Sequence, residues 1–168
     1  ELYKLPWKCT QNTKLLSVQY KINHRFLATN RLLFHMALRE DDQCGLCTTE
    51  RETIMHLFIE CPKTKVLWQK LGEWMTRQLR TNIQLSVRDI LFGKLGENNT
   101  LINLLLLLTK QYILKVRKNQ TELHFEQLVN IFKTNFKIEK LSAQLNMKND
   151  LFFKKWALLY AMFNATNQ

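Results

Sequence analysis

The sequence predicts an all-α fold, an irregular helical domain of about seven helices, and three observations carry that expectation. Only 4 Gly and 2 Pro punctuate the 168 residues, far too few turn residues for a β-sandwich or barrel. Apolar residues recur at helical spacing along most of the chain, and no stretch alternates as a half-buried strand does. Hydrophobic residues make up 46% and charged residues 23%, a globular composition that argues against disorder. The length suits one domain with a sizeable core or two small lobes.

Residues 13–27 place Leu15, Ile22 and Phe26 on one helical face, and Asn30 stands where it can cap a second helix through Ala37. Residues 40–50 read as a polar loop. Thr49 and Glu52 have capping-box spacing and should open a short helix containing His56. Pro62 breaks that helix and starts the next, which runs to about Leu79 with Val66, Leu67, Leu71 and Trp74 as its apolar face. Ser86 begins a short helix to Phe92, closed by Gly93. Residues 99–119 are apolar nearly all round until Lys110, as a central buried helix should be. Residues 121–146 and 149–163 complete the count. Gly93–Gly96 is the only stretch that reads as a linker, and no internal repeat is visible. Trp68, Trp74 and Trp156 sit at helical spacing from aliphatic neighbours and read as core; His24, His35 and His124 read as surface or core-edge residues. The apolar stretch Leu101 to Leu108 is interrupted by Asn103 and falls far short of a membrane span. The chain begins at Glu1 and not at Met, and is expected to be a piece of a longer protein. Sequons at Asn98, Asn119 and Asn164 would matter only in a secreted protein.

The net charge is +11, unevenly spread. Residues 1–40 carry +5, residues 41–62 carry −4, and residues 63–100 and 101–168 carry +4 and +6. Such an excess points to nucleic acid or an anionic surface, with solubilising charge as the plain alternative. On a helical wheel Lys14, Lys21 and Arg25 fall within about 40° of one another. Lys110 and Arg117 align likewise, with Lys115 and Lys118 close by, and Lys133, Lys137 and Lys140 lie within about 60°. With Arg31, these form the candidate nucleic-acid-binding set.

The acidic segment holds the chemistry. Cys44-Gly-Leu-Cys47 is followed by His56 after eight intervening residues and by Cys61 after four more. Zinc prefers four nitrogen or sulfur ligands in a tetrahedron, and a two-residue gap lets two thiolates grip one ion from a tight turn. Gly45 suits that turn through its backbone freedom. His56 and Cys61 would sit about 140° apart on a continuous helix, so the helix must end or tighten between them. An odd number of site cysteines and a histidine at ligand spacing weigh against disulfides. Cys9, remote from this set, reads as an ordinary thiol. One structural Zn²⁺ held by Cys44, Cys47, His56 and Cys61 is the expected cofactor. The chain then divides into a basic helical pair (1–40), the knuckle (41–62) and a helical lobe (63–168).

The string CGLCTTERETIMHLFIECP, with Glu52-Thr53, His56-Leu57-Phe58, Cys61-Pro62 and Trp68 beyond it, resembles the CCHC zinc knuckle at the C-terminal end of LINE-type (non-LTR) retrotransposon polyproteins. Gln19-Tyr20-Lys21-Ile22-x-His24-Arg25 and Thr29-Asn30 are similar to the helices before that knuckle. The stretch LINLLLLLTKQYILKVRKNQ and Phe153-Lys154-Lys155-Trp156 are similar to the tail of some members. The resemblance implies a segment that follows the polymerase and helps hold template RNA or target DNA during target-primed reverse transcription. It implies as partners RNA or DNA and the reverse transcriptase of the same polyprotein, with neither a membrane nor a small-molecule substrate. It implies a ribonucleoprotein in nucleus and cytoplasm. The polymerase signature is absent, because Asp41-Asp42 follow Arg39-Glu40 in a polar loop. No carboxylate cluster, Ser-His-Asp set, Walker loop or dinucleotide fingerprint appears either, so the segment itself is expected not to be an enzyme. A docking module that packs on the polymerase or a host factor is the competing expectation.

Overall fold

A computed structural model of the chain describes residues 5–164. It is all-α: α1 Leu5–Cys9, α2 Thr13–Asn23, α3 Asn30–His35, α4 Pro62–Leu79, α5 Val87–Phe92, α6 Thr100–Asn119, α7 Phe125–Leu145 and α8 Asn149–Asn164. A π turn at His56–Glu60 and a 3₁₀ turn at Glu97–Asn99 stand between them. Among the described residues there is no strand, only an isolated antiparallel bridge between Gln43 and Arg51. Residues 1–4, the start of the expected basic pair, and the Ala165–Thr166 part of the third sequon lie outside the described residues.

Helix α6 is the axis of the molecule. Every residue from Leu101 to Lys110 is buried, as a stretch apolar nearly all round predicts, and α1, α2, α7 and α8 all pack against it. Trp74, Phe132, Phe136, Trp156 and Phe163 build the aromatic core between α4, α7 and α8, with Trp74 stacked on Phe163 at 6.3 Å and Trp156 edge-on to Phe136 at 5.3 Å. The three tryptophans read as core are buried. Lys155 pairs with Glu139 at 2.7 Å and donates to the Cys9 carbonyl at 2.6 Å, so α8 fastens α1 to α7. Residues from all three expected segments share one core cluster.

Several boundaries shift for local reasons. Helix α2 stops at Asn23, because the chain turns through Arg25 at φ 58°, and Phe26 is left 47% exposed. Gln19 takes the inward position beside Leu15 and Ile22. Thr29, not Asn30, caps α3, accepting from the Leu32 amide at 3.3 Å. Val66 faces solvent while Leu67, Leu71 and Trp74 are buried. Ser86 starts α5 and Gly93 (φ 94°) stops it, as predicted, and the structure adds a capping box between Ser86 and Asp89. Gly93–Gly96 is no linker: the Asn103 side chain accepts from the Lys94 amide at 2.7 Å and donates to its carbonyl at 2.9 Å, buttoning the segment to α6.

Candidate metal centre

The loop before His56 is a closed hairpin. Cys44 donates its amide to the Glu50 carbonyl and Glu52 to the Asp42 carbonyl, both at 2.7 Å. These two bonds hold Cys44 and Cys47 on a turn facing the next element. The expected Thr49–Glu52 capping box is absent; the Thr53 hydroxyl accepts from the His56 amide at 2.9 Å and caps the turn instead. The helix does end before Pro62, as one of the two expected alternatives requires, but its last turn widens and does not tighten. The Cys61 amide bonds the His56 carbonyl at 2.7 Å, an i→i+5 bond that closes a π turn. A five-residue turn brings two side chains five positions apart back over one another, so His56 and Cys61 face one point. Pro62 then starts α4, and the Trp68 indole donates to the Phe58 carbonyl at 2.6 Å, fixing the turn on that helix.

As a result the ligand atoms of Cys44, Cys47, His56 and Cys61 all lie within 4.8 Å of one another. A tetrahedral ion with Zn–S bonds near 2.3 Å sets its sulfurs about 3.8 Å apart, so one zinc ion fits the cluster. Three sulfurs and an imidazole also suit zinc in softness. The surroundings favour thiolate. The Leu46 amide points at the Cys44 sulfur at 3.4 Å, and the Thr49 hydroxyl and His56 Nε2 approach the Cys47 sulfur, each at 3.3 Å. In the metal-free protein the bond from Cys44 to Cys61 raises the Cys44 thiol and lowers Cys61. Burial works to raise Cys47, but the Thr49 and His56 bonds win and leave it lowered. Burial likewise works to lower His56, and its bonds to Cys47 and Cys44 leave it raised.

Around the site lies a network that local sequence patterns do not reveal. Glu52 is fully buried and accepts four bonds. Its Oε1 takes the Asn30 amide at 2.8 Å and Arg117 Nη2 at 2.6 Å; its Oε2 takes the Gly45 amide at 2.8 Å and Arg117 Nε at 2.9 Å. The Asn30 side chain donates to the Gln43 carbonyl at 2.6 Å and accepts from Arg117 at 2.7 Å. Glu52 thus locks the cysteine hairpin to α3 and α6. Gly45 is needed for space and not for backbone freedom: a Cβ there would meet Arg117 Cγ at 3.1 Å, and the positive φ of the loop belongs to Thr48.

Two of the expected nucleic-acid contacts are thereby withdrawn. Arg117 is committed to Glu52, its side chain only 15% exposed. Lys110 is 1% exposed and donates to the Gln19 side chain and, at 3.2 Å, to the Leu91 carbonyl. Lys14, Lys21, Arg25, Lys115, Lys118 and Lys137 are exposed, and Arg31, Lys133 and Lys140 half-buried. Lys140 is engaged with Asn164 at 2.8 Å and lies over the Tyr160 ring. Cys9 is buried, and burial pushes its thiol up to about 11.

Burial brings Lys110 down from 10.5 to about 7. Between those values the unfolded chain holds the extra proton, so this residue makes stability rise with pH, by up to roughly 5 kcal/mol. Lys110→Met is expected to flatten that rise, gaining most over wild type near pH 6 and least near pH 10. Urea unfolding of both proteins across the range measures it, and equal slopes would show that the ammonium is not buried at a cost.

No helix among the described residues is long and apolar enough to cross a membrane. A family model described as zinc-binding in reverse transcriptase matches residues 1–68, a stretch that contains all four ligands and ends at Trp68. No curated protein and no solved structure matches the chain.

Proposed function

We propose that the chain is a non-catalytic accessory region of a LINE-type reverse transcriptase, holding template RNA or target DNA on the helices that flank the metal. It would act within a ribonucleoprotein, in nucleus and cytoplasm, beside the polymerase of the same polyprotein. One observation carries the reading: the knuckle has little to offer a nucleic acid, while α2 and the turn that follows it have much. Phe58, the knuckle's aromatic, is fully buried, and Asp41 and Asp42 pair with Arg39 and Arg51, each at 3.4 Å. Lys14, Lys21 and Arg25 are exposed with no ion-pair partner among the described residues, and their chain neighbours Tyr20 and Phe26 are exposed beside them. Basic side chains interleaved with aromatics are what a nucleic-acid strand engages.

Charge reversal at Lys14, Lys21 and Arg25 is expected to weaken RNA binding and lower the slope of log affinity against log salt by roughly two, at about 0.7–0.9 per phosphate contact. Neutralising Asp41, Asp42 and Glu50 should leave affinity unchanged or slightly higher. A salt series on both triple mutants decides the point. If the basic triple mutant keeps the wild-type slope while the acidic one loses affinity, the knuckle itself is the grip.

A docking module is favoured by one feature. Ile138, Leu141 and Leu145 form an exposed stripe on α7, continued by Met147, which is 93% exposed, and by Leu151 on α8. The same titration separates the readings, since a module that only docks shows no salt-dependent affinity for RNA or DNA.

A further inference from the structure

An apolar concavity lies between the α2–α3 arm, the segment entering the π turn, and α5. It holds about 730 Å³, within the roughly 300–1,000 Å³ typical of sites for small organic groups. Its floor is apolar: Ile22 and Leu27 from the arm, Ile54 and Met55 from the knuckle, and Leu91 and Phe92 from α5. Its charged lining is of one sign. Arg25, Arg31 and Arg88 come from three different elements, and no carboxylate lines the cleft. None of the three arginines has an ion-pair partner among the described residues. Phe26 and Phe34, chain neighbours of the lining residues Arg25 and His35, are exposed.

We infer that this cleft is a binding site for single-stranded nucleic acid, in which one unstacked base enters the apolar floor and the adjoining phosphates lie on Arg25, Arg31 and Arg88. The inference rests on the function proposed above and deepens it. An apolar slot ringed by cations fits a ligand with a flat apolar body and repeated anionic charge. A base with its two phosphates has that form, and a duplex does not present it, because its bases are stacked inside. All three charged positions are arginine, whose planar fork binds phosphate bidentately and stacks on bases, whereas lysine acts only as a point charge. The exposed phenylalanines extend the site with faces on which the next bases can stack. Ile54 and Met55 lie directly before the ligand His56, so the metal shapes a wall of the site without touching the strand.

The test uses the full zinc-loaded chain and a labelled oligouridylate of about a dozen nucleotides, within the span of known single-strand sites. Three comparisons accompany it: a duplex of equal length, an oligomer with abasic positions, and the variants Arg31→Gln and Arg88→Gln, checked for zinc content and helicity. Wild type is expected to prefer the single strand. Each variant should weaken single-strand binding several-fold and lower the salt slope by about 0.7. The abasic oligomer should bind about ten-fold more weakly with an unchanged slope, since base stacking is worth ~1–3 kcal/mol per base. If wild type binds RNA but neither the variants nor the abasic oligomer change that binding, the cleft is not the site and the proposed function stands. Equal affinity for the abasic oligomer alone would leave only a phosphate surface and overturn the base-binding claim. If wild type binds no nucleic acid, while a peptide alternating acidic and apolar residues occupies the cleft, both readings fall and the cleft is a protein groove.

Discussion

Replacing Cys61 or Cys44 by serine is expected to release the one bound zinc and to unravel the molecule around the knuckle, the largest effect any single substitution here should have. The four ligands come from two pieces of chain, the hairpin and the π turn, and the metal is the direct link between them. Apparent binding energies of structural zinc reach roughly 10–16 kcal/mol. A whole domain has only about 5–15 kcal/mol of stability, so losing the ion removes a share comparable with the total. The loss should nevertheless be local in structure. The aromatic cluster of Trp74, Phe132, Phe136, Trp156 and Phe163 contains no ligand, and α6–α8 should keep their helical signal. Residues 42–62 and α3 should lose amide protection first, because the hairpin holds α3 in place through Asn30. Metal analysis, thermal melting with and without chelator, and hydrogen exchange measure these outcomes. Full helicity and unchanged melting after chelation would refute a structural role for the metal.

Arg117→Met is expected to destabilise the zinc-loaded protein by about 3–5 kcal/mol, because it leaves a buried carboxylate without its cation. The pair is bidentate, at 2.6 and 2.9 Å, and Glu52 has no exposure to water. Changing both partners should cost less than the sum of the single changes, and a double-mutant cycle in urea would report their coupling directly. The same variant separates architecture from binding. Since Arg117 is turned inward, the folded fraction of Arg117→Met should keep the wild-type salt slope for RNA. A stability change below about 1 kcal/mol, the range of exposed pairs, together with a lowered slope, would return Arg117 to the binding surface.

Both effects depend on residues that differ in how openly the chain displays them. The all-α class, the buried run of α6, the Ser86 start and Gly93 stop of α5 and the four metal ligands could be read directly, because each is a local pattern: a period, a helix-end residue, or a ligand spacing. The π turn was half legible. The five-position separation of His56 and Cys61 demanded a break in the helix, yet spacing alone does not say whether a turn widens or tightens, and the hydrogen bond from Cys61 to His56 decided it. What sequence could not determine was the fate of individual charges. Lys110 and Arg117 share a helical face with other cations, and their partners Gln19 and Glu52 lie 91 and 65 positions away. Helical periodicity places a side chain on a face but says nothing of what that face meets. Only tertiary packing brought α2 and the cysteine hairpin against α6, turning two apparent surface cations inward and leaving Arg25, Arg31 and Arg88, from separate elements, around one cleft.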